Sequence, residues 1–267
     1  TWHGGGSYKT CGFANIQNLH SRGQKNHYKK LYGKVNLYCS SSAAFTQETI
    51  RESRLFQGEV MEVGMPRNDI LVNHDRPDIE KKVRRYYNIG DDTKIVLYAP
   101  TYRSAEEMLS IPQIDTSRLI RALHERFGGE WICLFRHHHL GNWENEGAIS
   151  ATDYPDMQEL LYSADVLVSD YSSCIWDFSL MFKPVFLYCP DLSKYESSRN
   201  FYMPIEQWPY ILCDSQQALE NSIIGFDESA YRSAIAEHHR ILGNCETGHA
   251  TETICRRIAE ECLSAEA

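Results

Sequence analysis

The sequence predicts an α/β protein built on parallel sheet, and three observations carry that prediction. Short apolar runs rich in β-formers recur at residues 95–99, 131–135, 166–168 and 185–188, without polar alternation. Such runs read as strands covered on both faces, as parallel strands are. Stretches of helical composition separate them, which implies right-handed β-α-β crossovers. The runs also end in polar clusters: Thr101-Tyr102-Arg103, Arg136-His137-His138, Asp170-Tyr171-Ser172-Ser173 and Asp191. Open α/β sheets bind ligands beyond the carboxyl ends of their strands, so these clusters mark a site.

The elements follow in order. The chain opens on Thr1, inside the stretch TWHGGGSYK and without a methionine, so an N-terminal portion is expected to be missing. Gly4-Gly5-Gly6 permits close backbone approach to a ligand, or a turn with positive φ. Residues 15–34 are polar, basic and dotted with tyrosine, and show no period. A strand at 35–38 and a helix over 43–56 follow, the helix with a solvated face of Glu48, Arg51, Glu52 and Arg54. A second strand at 60–63 ends in Gly64-Met65-Pro66, and Pro77 supports a boundary between 70 and 80.

The strand at 95–99 is closed by Pro100. Asp115 caps a helix through Phe127, which Gly128-Gly129 ends. After the strand at 131–135 comes a helix over 156–163. The strand at 166–168 leads into a helix whose apolar face is Ile175, Trp176, Phe178, Leu180 and Met181. Beyond the strand at 185–188 the sequence predicts a polar loop from 191 to 203, then a strand at 210–213. Asp214 is placed to cap the next helix, with Gln217 completing a capping box. Helices over 228–242 and 247–263 finish the chain.

Composition excludes several classes. With 42% apolar and 24% charged residues in 267, the chain is an ordinary globular one. Its most apolar region, 166–189, is interrupted by Asp170, Asp177 and Lys183, too often for a membrane span. Nine cysteines include no CxxC pair and read as reduced thiols of a cytoplasmic protein, and no structural zinc is expected. A net charge of −9 argues against nucleic acid as a partner. The distribution is uneven, however. No acidic residue precedes Glu48, whereas Lys9, Arg22, Lys25, Lys29, Lys30 and Lys34 do, and this basic opening suggests a local anion site.

Within the polar clusters, Ser172 and Ser173 stand between a strand and a helix. That junction supplies two hydroxyls, free N–H groups and a positive dipole end, all suited to phosphate. Along an extended run His137 and His139 share one face and His138 takes the other. No spacing around them suggests a metal site. Arg136 and His138 read better as contacts to an anion or leaving group.

Together, TWHGGGSYKxxG, GMPRND, LYAPTYR, RHH and ADVLVSDYSSxxWDFSLMFKPVFLYxPD, with Tyr195 and Arg199-Asn200-Phe201-Tyr202 beyond, resemble the CDP-glycerol glycerophosphotransferase family. That family includes teichoic-acid polymerases and primases and related capsule enzymes. The resemblance runs from Thr1 to about Tyr202, in the family's order. It implies a GT-B-like fold of two Rossmann-like domains with parallel sheets, the N-terminal one truncated. Residues 1–75 would be the second half of the acceptor-side domain, 76–245 the nucleotide domain, and 246–267 a C-terminal helix that crosses back. Where many polymerases have Thr-Pro-Leu, this chain has Gly-Gly-Ser-Tyr, with one extra residue before Lys9.

The implied reaction moves glycerol phosphate, or a related polyol phosphate, from CDP-glycerol to an acceptor hydroxyl and releases CMP. It needs no cofactor. His3 is the implied general base, since its ordinary pKa lies near neutrality. His138 and Arg136 with Ser172 and Ser173 would stabilise the departing CMP. Lys9, Arg103 and Arg199 would hold phosphate, and Asp177 a ribose or glycerol hydroxyl. The implied partners are CDP-glycerol or CMP and a lipid-linked polyol-phosphate or glycan acceptor at the inner face of the cell membrane, with an anionic membrane surface touching the basic stretch 20–34. Two other readings remain open at this point: a GT-B sugar transferase using a nucleotide sugar, and a catalytically silent nucleotide-binding module.

Overall fold

The computed structural model describes residues 5–6, 8–15, 21–101, 112–137 and 145–265. Its main sheet has six parallel strands: β3 (Lys94–Ala99), β4 (Trp131–Phe135), β5 (Ile149–Ser150), β6 (Val166–Ser169), β7 (Val185–Tyr188) and β8 (Ile211–Cys213). Their spatial order is β5-β4-β3-β6-β7-β8. Numbered from the first strand of this sheet, that is the doubly wound order 3-2-1-4-5-6, which places a topological switch point between β3 and β6. Every residue of β6 and β7 is buried, as the uninterrupted apolar runs require.

A second sheet pairs β1 (Leu37–Ser40) with β2 (Glu59–Glu62), also in parallel. Between them the expected helix winds as a π-helix over Phe45–Ser53, and the Ser42 hydroxyl accepts from the Phe45 N–H at 3.0 Å. This unit has a small apolar core of Phe45, Ile50 and Phe56. The large core belongs to the six-stranded sheet and its helices, and it also takes in Tyr8 and Leu71.

Several elements depart from the sequence reading. Residues 15–34 contain α1 (Arg22–Tyr32), started by a capping box in which Ser21 and Gln24 bond each other's backbone. Near the expected boundary, α2 (Asp69–Asn73) is followed by α3 (Pro77–Tyr87), with Pro77 at the first helical position, where its missing N–H costs nothing. The helices α4 (Thr116–Phe127) and α5 (Met157–Ser163) start as expected, capped by Asp115 and Asp156. After β6 the helix α6 (Cys174–Ser179) is short, and Ser173 at its N-cap makes no side-chain capping bond. The predicted polar loop contains α7 (Leu192–Ser198). Ser215 caps α8 (Gln216–Ile224) in place of Asp214, accepting from the Ala218 N–H at 3.3 Å. α9 (Glu228–Leu242) and α10 (Ala250–Ala265) complete the fold. Among the described residues, no helix is long and apolar enough to cross a membrane.

The N-terminal stretch is strapped to the large sheet's loops. Lys9 bridges Phe201 in antiparallel fashion, and the Thr10 hydroxyl bonds the Asn200 carbonyl at 3.1 Å. The buried Tyr8 hydroxyl meets Tyr210 Oη at 2.8 Å and His238 Nε2 at 3.0 Å. His239 Nε2 meets Ser179 Oγ at 2.8 Å, with the Trp176 ring alongside. Gly5 serves this packing. A Cβ on Gly5 would fall 2.0 Å from that of Ser41 and 2.8 Å from the Trp176 indole nitrogen. Its close approach is therefore to the protein's own chain.

The two α9 histidines predict an acid limit. Burial lowers both pKa values to about 4, and for His238 the neighbouring His239 lowers it further. The unfolded chain takes up these protons near 6.5, so this contribution is complete above that pH and is lost as pH falls toward 4. Each histidine should cost on the order of 3 kcal/mol of stability at pH 4. Urea midpoints from pH 7 to 4.5 should fall more steeply for the wild type than for a His238→Gln, His239→Gln variant.

Candidate active site

The switch point is a cleft of about 520 Å³. Ala99, Pro100 and Thr101 line it from the end of β3, Arg136 and His137 from the end of β4, and Ser172, Ser173 and Cys174 from the turn after β6. Met157, Gln158 and Asp177 come from α5 and α6, and Lys9 and Arg67 from the N-terminal part of the chain. Side chains at the end of β6 tie that strand to the backbone at the end of β3. Asp170 accepts from the Thr101 N–H at 2.7 Å, and Ser169 donates to the Ala99 carbonyl at 2.6 Å. These bonds hold the β3 and β6 ends together at the root of the turn that carries Ser172 and Ser173.

The expected site residues are sorted by this geometry. Lys9, Arg136, Ser172, Ser173 and Asp177 meet in the cleft. Arg136 is fixed there by donating from Nη1 to the carbonyls of Ala151 at 3.2 Å and Tyr154 at 2.6 Å, and burial lowers its pKa. Asp177 is occupied differently from the expectation. Its carboxylate pairs with the Arg67 guanidinium at 3.2 Å and accepts from Asn68 Nδ2 at 3.1 Å and Gln158 Nε2 at 3.0 Å. A carboxylate so engaged orients its neighbours and has little capacity left for a ligand hydroxyl. Arg199 is exposed at the end of α7 and is not among the cleft's lining residues. His3, Arg103 and His138 lie outside the described residues.

Sequence reasoning missed Arg67, Asn68 and Glu246. Glu246 follows α9 and reaches the segment after β2, where it accepts from the Met65 N–H at 2.9 Å and Asn68 Nδ2 at 2.7 Å. The Ser41 hydroxyl donates to the same carboxylate and itself accepts from the Trp176 indole at 2.9 Å. Burial pushes the Glu246 pKa up to about 7, against the three donors that favour its ionised form. One network therefore runs from the cleft to the small sheet: Arg67, Asp177, Asn68, Glu246, Ser41 and Trp176. The stretch GMPRND was visible in the sequence, but no local signal links it to Asp177 and Glu246. Among the described residues, no three His, Cys, Asp or Glu side chains are grouped to hold a metal ion.

A doubly wound sheet whose switch-point crevice gathers two arginines, a lysine and two serine hydroxyls defines a binder of phosphate-bearing nucleotides. The chain is narrower than that class. It belongs to the CDP-glycerol:poly(glycerophosphate) glycerophosphotransferase family, whose model matches residues 1–260. It is thus a transferase of the kind that moves glycerol phosphate from CDP-glycerol. It is 29% identical over 272 residues to a teichoic acid glycerol-phosphate transferase of Staphylococcus aureus, covering 97% of this chain and 70% of that protein. It is 30% identical to a teichoic acid poly(glycerol phosphate) polymerase of Bacillus spizizenii, over 78% of this chain but 55% of that one. Among solved structures it matches the wall teichoic acid polymerase TagF, H548A, with a TM-score of 0.83 and 23% identity, over 100% of this chain and 69% of that one. That likeness supports the GT-B-like fold.

The network's role in stability is open to test. Replacing Glu246 by alanine leaves the Ser41 hydroxyl, the Asn68 amide and the Met65 N–H without their acceptor. The cost should be about 2–4 kcal/mol at neutral pH, as expected for several partly buried donors losing one partner. Chemical denaturation of Glu246→Ala beside the wild type measures it.

Proposed function

We propose that this protein transfers glycerol phosphate from CDP-glycerol to an acceptor hydroxyl, releasing CMP, at the inner face of the cell membrane. The observation that carries this reading is the cleft at the β3–β6 switch point, lined by Lys9, Arg67, Arg136, Ser172 and Ser173. In the reaction the acceptor oxygen attacks the phosphorus that bears glycerol. The bond from that phosphorus to the bridging oxygen breaks, and CMP leaves with the electron pair. Cations and hydroxyl donors placed where charge builds on the leaving phosphate speed such a step, and little covalent chemistry is left to the protein.

In this reading Ser172, Ser173 and Arg136 hold the phosphate next to cytidine. His3 takes the acceptor proton, and His138 and Arg103 assist the leaving group and the pyrophosphate. Arg199, exposed beside the strap at Phe201, would meet phosphate only from outside the cleft. Residues 1–75 form the acceptor side, 76–245 the nucleotide side, and the helix after 246 crosses back. Arg257 on α10 supports the last point, since it pairs with Glu59 of β2 at 3.0 Å.

The basic helix α1 is proposed to meet the anionic acceptor or the anionic leaflet that carries it. Arg22, Lys25, Lys29 and Lys30 stand on it with Lys34 just beyond, and among the described residues none of the five makes an ion pair. Its tyrosines are half-buried: Tyr28 packs edge-on to Phe13 at 6.3 Å, and Tyr32 lies 6.5 Å from Tyr38, so both turn partly toward the protein. Contact through α1 would rest chiefly on charge.

Two experiments test these proposals. In a thermal-shift screen, CMP, CDP and CDP-glycerol should stabilise the protein, whereas UDP and GDP should not. Ala at both Ser172 and Ser173 should weaken CDP-glycerol binding with little change in melting temperature, because Ser173, at the α6 N-cap, makes no side-chain capping bond. Stabilisation by UDP or GDP alone would assign the cleft to a sugar donor. For α1, a variant with Gln at Lys25, Lys29, Lys30 and Lys34 should lose co-sedimentation with anionic vesicles, at roughly 1 kcal/mol per charge. Binding by the wild type should fall with salt. Equal, salt-insensitive binding by both proteins would remove α1 from the proposal.

A further inference from the structure

Arg67 is held in the cleft by a series of ties to the chain. It sits in a 3-10 turn, Pro66–Asn68, that Pro66 starts at the first helical position. Its guanidinium meets Asp177 side-on, from Nε at 3.2 Å and from Nη2 at 3.4 Å. This two-point geometry fixes the plane of the group as well as its position. Asp177 is held in turn by Gln158, which also lines the cleft, and by Asn68, which is fully buried. The Asn68 amide nitrogen bridges Asp177 and Glu246. Gly64 leaves room for that bridge: its φ is +93°, and a Cβ there would lie 2.5 Å from Glu246 Oε2. Despite these ties the Arg67 side chain keeps 20% of its surface open, where it lines the cleft.

A surface arginine held only by a surface carboxylate would need none of this. Pairing a cation to a buried carboxylate costs desolvation, which is offset only when the geometry and the remaining hydrogen bonds are good. Here they are good, and the open part of the cation is turned to the cleft. Arg67 also enters from the N-terminal unit, after β2, whereas Ser172, Ser173 and Arg136 enter from the large sheet. A diphosphate lying between the two sides would present one phosphate to each. The phosphate bonded to cytidine belongs with the large sheet's nucleotide crevice. The other is the one transferred, and it must face the acceptor.

We propose that Arg67 binds the transferred phosphate of the donor, with Asp177, Asn68 and Glu246 as the residues that position it. This rests on the reading of CDP-glycerol as donor. The guanidinium then has two tasks. It holds the glycerol-bearing phosphorus in line for attack, and it shares the charge that moves to the bridging oxygen as the bond to CMP breaks. The arrangement also couples chemistry to the junction of the two units, because Arg67 keeps its position only while Asp177 of α6 and Glu246 after α9 stay docked.

Titration calorimetry with CDP-glycerol and with CMP separates the two phosphates. Arg67→Gln should weaken CDP-glycerol roughly tenfold to a hundredfold, the range for losing a charge-assisted contact, while CMP changes by less than about twofold. Because Arg67→Gln leaves the Asp177 carboxylate without its cation, a double variant Arg67→Gln, Asp177→Asn removes the pair together and should show the same selective loss of CDP-glycerol over CMP. Arg67→Lys should recover only part of the CDP-glycerol affinity, since a point charge cannot reproduce the planar fork. CDP-glycerol affinity unchanged in both glutamine variants, or an equal loss for CMP and CDP-glycerol, would overturn the assignment. A wild type that binds CMP but not CDP-glycerol would overturn the donor reading, and this inference with it.

Discussion

A buried carboxylate that has to be neutralised organises the junction on which the site depends. Asp177 is 4% exposed, on a helix whose other residues are packed into the core. An ionised group so placed is tolerated only with partners, and the large sheet supplies one, Gln158. The others, Arg67 and Asn68, come from the N-terminal unit. The charge requirement thus docks that unit in one orientation, because an ion pair and a shared amide specify angles that apolar contact does not. Glu246 repeats the device one step away, gathering Ser41, Met65 and Asn68.

This matters because the N-terminal unit has little else to stand on. Its own core is three buried residues beside a two-stranded parallel sheet. So small a core buries too little apolar surface to offset the entropy of ordering the chain. Its order comes from docking: Tyr8 among Trp208, Tyr210 and His238, Ser41 on the Trp176 indole, and an antiparallel bridge from Ser42 to Asn244. The same contacts deliver Lys9 and Arg67 to the cleft. Stability of the junction and completeness of the site are one property here.

The large sheet was legible in the sequence because its strands bury both faces and so appear as unbroken apolar runs. Helix starts were legible where an aspartate precedes the run, as at Asp115 and Asp156. α1 was not, since Tyr28, Leu31 and Tyr32 all fall in its last turns and leave most of the helix without an apolar period. The signals available were Ser21 with Gln24 as a capping box and the i, i+4 spacing of Tyr28 and Tyr32. Ser215 was passed over for Asp214 because both residue types cap, and only the backbone decides between neighbours. The strand-end part of the site could be read for a topological reason, since a crevice forms where the connections leaving two neighbouring strands run in opposite directions. Arg67 could not, because its significance lies in a contact with a residue in the other unit.

The charge pattern carries the last step. The chain has a net charge of −9, yet the cleft's charged lining is Lys9, Arg67 and Arg136 against the single carboxylate of Asp177, which is already paired. A diffusing anion is repelled by the net charge and attracted at the crevice, as it is at the basic helix α1, so the field favours arrival there over adsorption on the acidic remainder. Within the crevice Arg136 is tied to two carbonyls and Arg67 to a carboxylate, and Lys9 adds a third cation from a strap bridged to Phe201. Two fixed guanidinium groups set a phosphate's place by their planar donor forks. That fixity suits a reaction in which the phosphorus must stay in line while negative charge passes from one oxygen to another.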